Sequence, residues 1–138
     1  MNETLVTITG NVVSDVSEVT TASGIEIRNF RIATTTRRFD RGLSQWVDGD
    51  TSYMRVSCWR QLGRNVAESI VKGDPVIVTG TMRVKEWSNE AHPRSTVEIE
   101  AISVGHDLRR GVSAFARAAK RASHPENSPE APDAKAAA

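Results

Sequence analysis

Five of the seven aromatic residues, Phe39, Trp46, Tyr53, Trp59 and Trp87, stand beside cations in the chain. Phe39 follows Arg37 and Arg38, Tyr53 and Trp59 flank Arg55 with Arg60 adjacent, and Trp87 follows Arg83 and Lys85. Flat π surfaces next to positive charges meet both exposed parts of a single nucleic-acid strand: rings stack on base faces while cations follow the phosphates. Stacking contributes about 1–3 kcal/mol per base, and each neutralised phosphate adds roughly 0.7 to the steepness of the salt dependence. Taken singly, an aromatic in a strand packs in a core more often than it meets a ligand, and strand arginines are mostly solvated. The joint pattern is what points to a binding strip. It assigns Phe39, Tyr53, Trp59, Trp87 and Trp46 to stacking, and Arg37, Arg38, Arg55, Arg60, Lys72, Arg83 and Lys85 to phosphate.

Charge distribution agrees. The 138-residue chain carries a formal net charge of only +1, yet residues 28–64 hold eight arginines against three aspartates. A basic patch in a near-neutral chain implies an anionic partner bound locally. A second basic stretch, Arg109 to Arg121, is either a solvated helix or a further contact surface.

Other chemistries find little footing. The single thiol, Cys58, has no internal partner for a disulfide and reads as a small buried hydrophobe. His92, His106 and His124 are too widely spaced for a metal motif, so no metal or other cofactor is expected. There is no nucleophile elbow, no phosphate-binding glycine loop and no dinucleotide fingerprint. Glu98 and Glu100 share one strand face, a spacing that reads as surface charge before acid–base machinery. No catalytic residues are assigned and enzymatic activity is not expected. An apolar run of about 18 residues and a charged-then-apolar leader are both lacking, so the expected compartment is the cytoplasm, with no membrane contact.

The elements that must position the strip follow from periodicity. Residues 5–13 form a strand, Ala22-Ser23-Gly24 a turn, and Ile25–Thr36 a second, long strand. Arg37–Asp50 is rich in turn residues and reads as a loop, which places Trp46 off the strands. A third strand spans Ser52–Arg60, where Met54, Val56 and Cys58 alternate with Tyr53, Arg55, Ser57 and Trp59, separating a core face from an aromatic and basic one. The period then turns helical over Gln61–Val71, with Leu62, Val66, Ala67 and Ile70 on one side and Gly73 placed to end the turn. Strands at 74–87 and 94–105 complete the order β-β-β-α-β-β. This all-β pattern, with its helix between strands three and four, matches the five-stranded Greek-key barrel known as the OB-fold. Residues 1–110 are expected to form this domain, 111–122 a short basic helix, and 123–138 a disordered tail rich in proline and alanine.

The stretches VTITGNVVSDV, RNFRIATTTRRFD, YMRVSCWRQLGRNVAESIVKGDPVIVTGTMRVKEW and RSTVEIEAISVG resemble the bacterial single-stranded DNA-binding protein family over residues 1–105. The third and fourth stretches are the specific part. The resemblance implies a homotetramer that coats single-stranded DNA without sequence preference during replication, recombination and repair, and that has no catalytic activity. It implies stacking roles for Phe39, Tyr53, Trp59 and Trp87. Phe39 and Tyr53 stand where the family commonly has tryptophan, and Glu86 precedes Trp87 where a cation is frequent. The family's aspartate-rich tip ending in Ile-Pro-Phe is not matched by PDAKAAA. The chain thus resembles a short-tailed second paralogue, for which recruitment of repair proteins through such a tip is not expected. The competing reading is an OB-fold interaction or scaffold module whose aromatic strip binds protein, with nucleic acid incidental.

Overall fold

The computed structural model describes residues 3–87 and 94–118. Its elements are β1 (Leu5–Val12), β2 (Ser17–Thr20), β3 (Glu26–Asp40), β4 (Gln45–Trp59), α1 (Arg60–Ser69), β5 (Pro75–Trp87) and β6 (Arg94–His106). The hydrogen-bonded order is β1-β5-β6-β4-β3-β2, and β1 returns to pair with β3 at Asn11↔Ala33 and Val12↔Ile32. Five strands therefore close on themselves, with β2 added outside the ring on the edge of β3. This is the OB-fold barrel with its helix between the strands now numbered β4 and β5.

Period-2 alternation builds the interior. Val12 of β1, Phe30 and Ile32 of β3, Val56 and Cys58 of β4, Val76 and Val78 of β5 and Ile99 of β6 are all buried, and α1 closes one end with Val66 and Ile70. Gly63 is the closest point of that helix. A Cβ there would stand 2.6 Å from the Cys58 carbonyl oxygen and 2.9 Å from Cγ of Arg28, so only glycine lets α1 settle on the barrel end. Burial also pushes the Cys58 thiol up to about 12, which keeps it protonated and inert.

Three sequence expectations are corrected. β2, the four-residue run SEVT, was not foreseen because all of its side chains are exposed and no apolar face marks it. The segment 37–50 is not a loop: β3 and β4 continue through it as a long hairpin arm, paired from Arg37↔Asp48 to Asp40↔Gln45. Its turn is made by Asp40, whose Oδ1 accepts from the backbone N–H of Gly42 (2.8 Å) and Leu43 (3.1 Å), and by Ser44 in the left-handed region at φ 52°. Trp46 is accordingly a strand residue. Third, residues 111–118 have no regular secondary structure, so the basic helix expected over 111–122 is not formed there. Residues 119–138 lie outside the described residues.

At the barrel exit, Asp107 donates its N–H to the Pro75 carbonyl (2.9 Å) and its carboxylate is gripped by Arg109 at 2.8–3.2 Å. That side-chain bond, before all other influences, holds the Asp107 carboxyl below its ordinary range.

Candidate nucleic-acid interface

Strand register places the outward side chains of five strands in rows. One row runs Arg31, Arg55, Glu98, Arg83 across β3, β4, β6 and β5. The next runs Ser17, Asn29, Ser57, Glu100, Thr81, beginning on β2, and beyond it lie Val19, Ile27 and Trp59. Residues in register share a sheet face. The parallel pairing of β4 with β6 at Arg55↔Glu98 and Ser57↔Glu100 therefore brings the two halves of the interface together.

Between these rows lies a groove of about 190 Å³ lined by Val19, Ile27, Asn29, Arg55, Ser57, Trp59, Arg83, Lys85, Glu98 and Glu100. Trp59, with 38% of its surface exposed, forms a wall together with the aliphatic Val19 and Ile27. Arg55, Arg83 and Lys85 stand opposite, and the floor is polar. Asn29 and Ser57 are buried, and the Ser57 hydroxyl lies 2.9 Å from Oδ1 of Asn29 and 2.8 Å from Oε2 of Glu98.

The carboxylates tether the cations. Glu98 receives Lys85 at 3.0 Å and Arg55 at 3.8 Å from two different strands, and Glu100 receives Arg83 at 3.0 Å. Desolvation of Glu98 would raise its carboxyl, but hydrogen bonds from Lys85 and Ser57 and the charges of Lys85 and Arg55 outweigh it and hold the group below the usual range. Glu98 is ionised at neutral pH, and the cations sit at fixed points over the floor.

Of the residues assigned from sequence, Trp59, Arg55, Arg83 and Lys85 meet in this groove. Tyr53 lies on the same face of β4, 55% exposed, and the Arg31 guanidinium stands 5.9 Å from its ring centroid. Phe39 and Trp46 are apart from the groove, on the hairpin arm, where they pair directly across β3 and β4 and meet edge to face with ring centroids 5.6 Å apart. Both rings remain about half exposed, at 47% and 59%. Arg37 is tied to Asp48 (2.9 Å) and to the Trp46 carbonyl (3.3 Å) and turns toward a separate recess shared with Arg109 and Arg110. Arg38 on the arm and Arg60 at the start of α1 are exposed and form no ion pair among the described residues. Arg60 takes φ 56° to turn the chain from strand to helix. Lys72 is exposed in the turn between α1 and β5, outside the groove. Trp87 ends β5 opposite Arg94, and its side chain falls outside the described residues.

Sequence reasoning missed Arg31 and the polar floor of Asn29 and Ser57, and it read Glu98 and Glu100 as plain surface charge. Alternation did place Asn29 and Arg31 on one face of β3 and Ser57 beside Trp59 on one face of β4. What joins them is cross-strand register, which composition does not reveal. Among the described residues no group of three or more His, Cys, Asp or Glu side chains is arranged to hold a metal ion, and no helix is long and apolar enough to cross a membrane.

Comparison with known proteins places these features in context. The family model described as the single-strand binding protein family matches residues 3–107. The chain is 45% identical over 112 residues, 81% of its own length and 74% of the other's, to a protein named single-stranded DNA-binding protein 2 from Tropheryma whipplei. Among solved structures it is similar to a small single-stranded DNA-binding protein from Streptomyces coelicolor, with a TM-score of 0.72 and 38% identity, covering 80% of this chain and all of that one. It is also similar to the second single-stranded DNA-binding protein from Mycobacterium smegmatis, with a TM-score of 0.64 and 31% identity, covering 84% of this chain and all of that one.

Proposed function

The chain belongs to the single-strand binding protein family, and on that premise we propose that it coats single-stranded DNA, requiring no particular sequence, by stacking bases on its aromatic strip and neutralising phosphates at the cations beside it. The single observation that carries this reading is the register that sets Trp59, Arg55, Arg83 and Lys85 around one open groove, with Tyr53 continuing the same face. A flat ring facing solvent from a strand whose other face is core has no packing role to account for its exposure.

Phe39 and Trp46 extend the stacking surface along the hairpin arm, Trp87 at the far end of β5, and Arg37, Arg38, Arg60 and Lys72 supply phosphate contacts beyond the groove. The function is binding and protection during replication, recombination and repair, with no catalysis. Residues 1–110 are the binding unit, a reading supported by a family match that ends at residue 107. The protein acts as a homotetramer associated with the nucleoid. Exposed Leu5, Ile77 and Ile102 on β1, β5 and β6 support self-association, because a second copy laid there covers apolar surface that water otherwise meets.

Titration of intrinsic tryptophan fluorescence with oligo-dT and with a matching duplex, at low and high salt, tests the central claim. Strong quenching by oligo-dT that survives added salt, with weak duplex binding, is expected, since stacking is far less salt-sensitive than phosphate contact. Quenching that vanishes in salt and is shared by the duplex would leave only a basic surface, and the protein-docking scaffold would take the place of the coating protein.

A further inference from the structure

The hairpin arm leaves the barrel with both of its faces in water. Ile32 and Met54 are the last side chains of β3 and β4 to pack on the core, yet pairing continues out to Asp40↔Gln45. A bulge orients this extension: three steps of β4, from Thr51 to Asp48, span two of β3, from Thr35 to Arg37. It falls at Gly49, where a Cβ would stand 2.7 Å from Oγ1 of Thr36 and 3.3 Å from its carbonyl oxygen, so any side chain there crowds Thr36. Strict alternation without the bulge would set Trp46 on the side of β4 opposite Tyr53 and Trp59. With it, Trp46 joins Phe39 on the outward face, and the aromatic strip continues from the barrel onto the arm.

The other face of the arm is the one that looks into the core further down. Here it carries Arg38 beside a half-buried Val47. The turn at the end, fixed by Asp40, presents Arg41 and Leu43 to water, with 61% of Leu43 exposed. Arg38 and Arg41 form no ion pair among the described residues. A single strand stacked on Phe39 and Trp46 covers the outward face only. The cation on the back and the leucine at the tip lie beyond its reach.

DNA has two sides of this kind where a duplex opens into single strands. Two strands diverge from a last base pair whose flat apolar face is uncovered. A two-stranded ribbon set between them offers rings to one strand, a cation to the other and an aliphatic side chain to the pair, and leucine is among the residues that proteins press against unstacked base steps. We infer that the arm is a pin for the junction between duplex and single-stranded DNA: Leu43 abuts the last base pair, Phe39 and Trp46 receive one strand, and Arg38 and Arg41 follow the phosphates of the other. This rests on the single-strand reading above and adds a place of preference to it. A closed duplex has no diverging strands for the pin to part, so its weak binding is unaffected.

The experiment titrates the full chain, by tryptophan quenching, with an oligo-dT, with a fork carrying that oligo-dT as one tail and a short tail on the opposite strand, and with the blunt duplex. Leu43→Ser, which changes no charge, and Arg41→Ala are compared with the native chain, with thermal melting as the check on folding. The native chain is expected to bind the fork about tenfold more tightly than the free oligo-dT, the equivalent of covering one leucine side chain. In each variant that ratio is expected to fall toward one, with affinity for free oligo-dT unchanged. Equal affinity of the native chain for fork and free oligo-dT overturns the inference, and this result decides even where a variant fails to fold. A fork preference that survives in both variants overturns it too, because the charge of the added duplex then accounts for the gain. So does an equal loss of affinity for fork and free oligo-dT, the result expected if the tip serves the single strand alone. Quenching by none of the three DNAs would instead overturn the single-strand reading itself.

Discussion

Replacing Glu98 by glutamine changes one charge and almost no volume, and the consequences can be worked from the contacts it makes. In the native chain its oxygens lie 3.0 Å from Nζ of Lys85, 3.8 Å from Nε of Arg55 and 2.8 Å from the Ser57 hydroxyl. Glutamine retains an acceptor for Ser57 but releases both cations. The loss of folding stability is small, because 59% of the Lys85 side chain and 44% of the Arg55 side chain are exposed, and pairs so open to solvent contribute about 0–1 kcal/mol. The effect on binding is larger. A phosphate approaching the native groove competes with Glu98 for each cation, whereas in Glu98→Gln both are available. At roughly 0.7 per phosphate neutralised, the log-log dependence of affinity on salt is expected to steepen by up to about 1.4, with tighter binding at low salt. Oligo-dT titrations over a salt series measure that slope directly. A slope unchanged or shallower, in a variant that melts as the native chain does, would show that Arg55 and Lys85 do not reach phosphate and that the groove's cations serve only the fold.

Truncating Trp59 or Tyr53 to alanine is expected to weaken oligo-dT binding about 5- to 150-fold each, the equivalent of about 1–3 kcal/mol of stacking, with the circular dichroism spectrum unchanged. Gly80→Ala tests the bulge between Thr79 and Gly80: a Cβ there would lie 2.2 Å from the Glu100 carbonyl oxygen and 2.8 Å from Cα of Ala101. Relief of that clash is expected to cost about 1–3 kcal/mol in urea denaturation. Cys58, fully buried and with its thiol pushed up to about 12, is expected to resist maleimide in the folded protein and to react on unfolding in urea. Because Glu98 titrates lower in the folded chain than in the unfolded one, its contribution to stability is present above the ordinary glutamate range, near 4.3, and is lost as pH falls through its depressed value. Acid melts of Glu98→Gln are expected to lack that component.

The parts of the fold legible in the sequence were those with a buried face. Met54, Val56 and Cys58 alternating with Tyr53, Arg55 and Trp59 mark the C-terminal half of β4, and Leu62, Val66 and Ile70 mark the helix, because each set records one side facing a core. Ser57 breaks the rule: it lies on the outward face yet is buried, since Asn29 and Glu98 close over it. Where both faces meet water the signal disappears. The arm from Arg37 to Asp48 carries aspartate, glycine and serine, reads as a loop, and is held as a hairpin by backbone pairing and by cross-strand contacts such as Phe39 on Trp46. β2 fails for the same reason. The groove's cations were found through the aromatics beside them, but the carboxylates that fix those cations come from β6 and meet β4 only through tertiary pairing.

That pairing also determines when the groove comes into being. Arg55↔Glu98, Val56↔Ile99 and Ser57↔Glu100 join strands separated in the chain by the helix and all of β5, and they are parallel, so no hairpin can form them locally. Closing so long a loop is entropically costly and belongs to the late events of folding. The wall carrying Trp59 and the wall carrying Arg83 and Lys85 thus exist separately until the ring shuts. A nascent chain released only as far as the helix holds Trp59 and Arg55 without Arg83 and Lys85, and capture of a DNA strand in the groove becomes a property of the closed barrel alone.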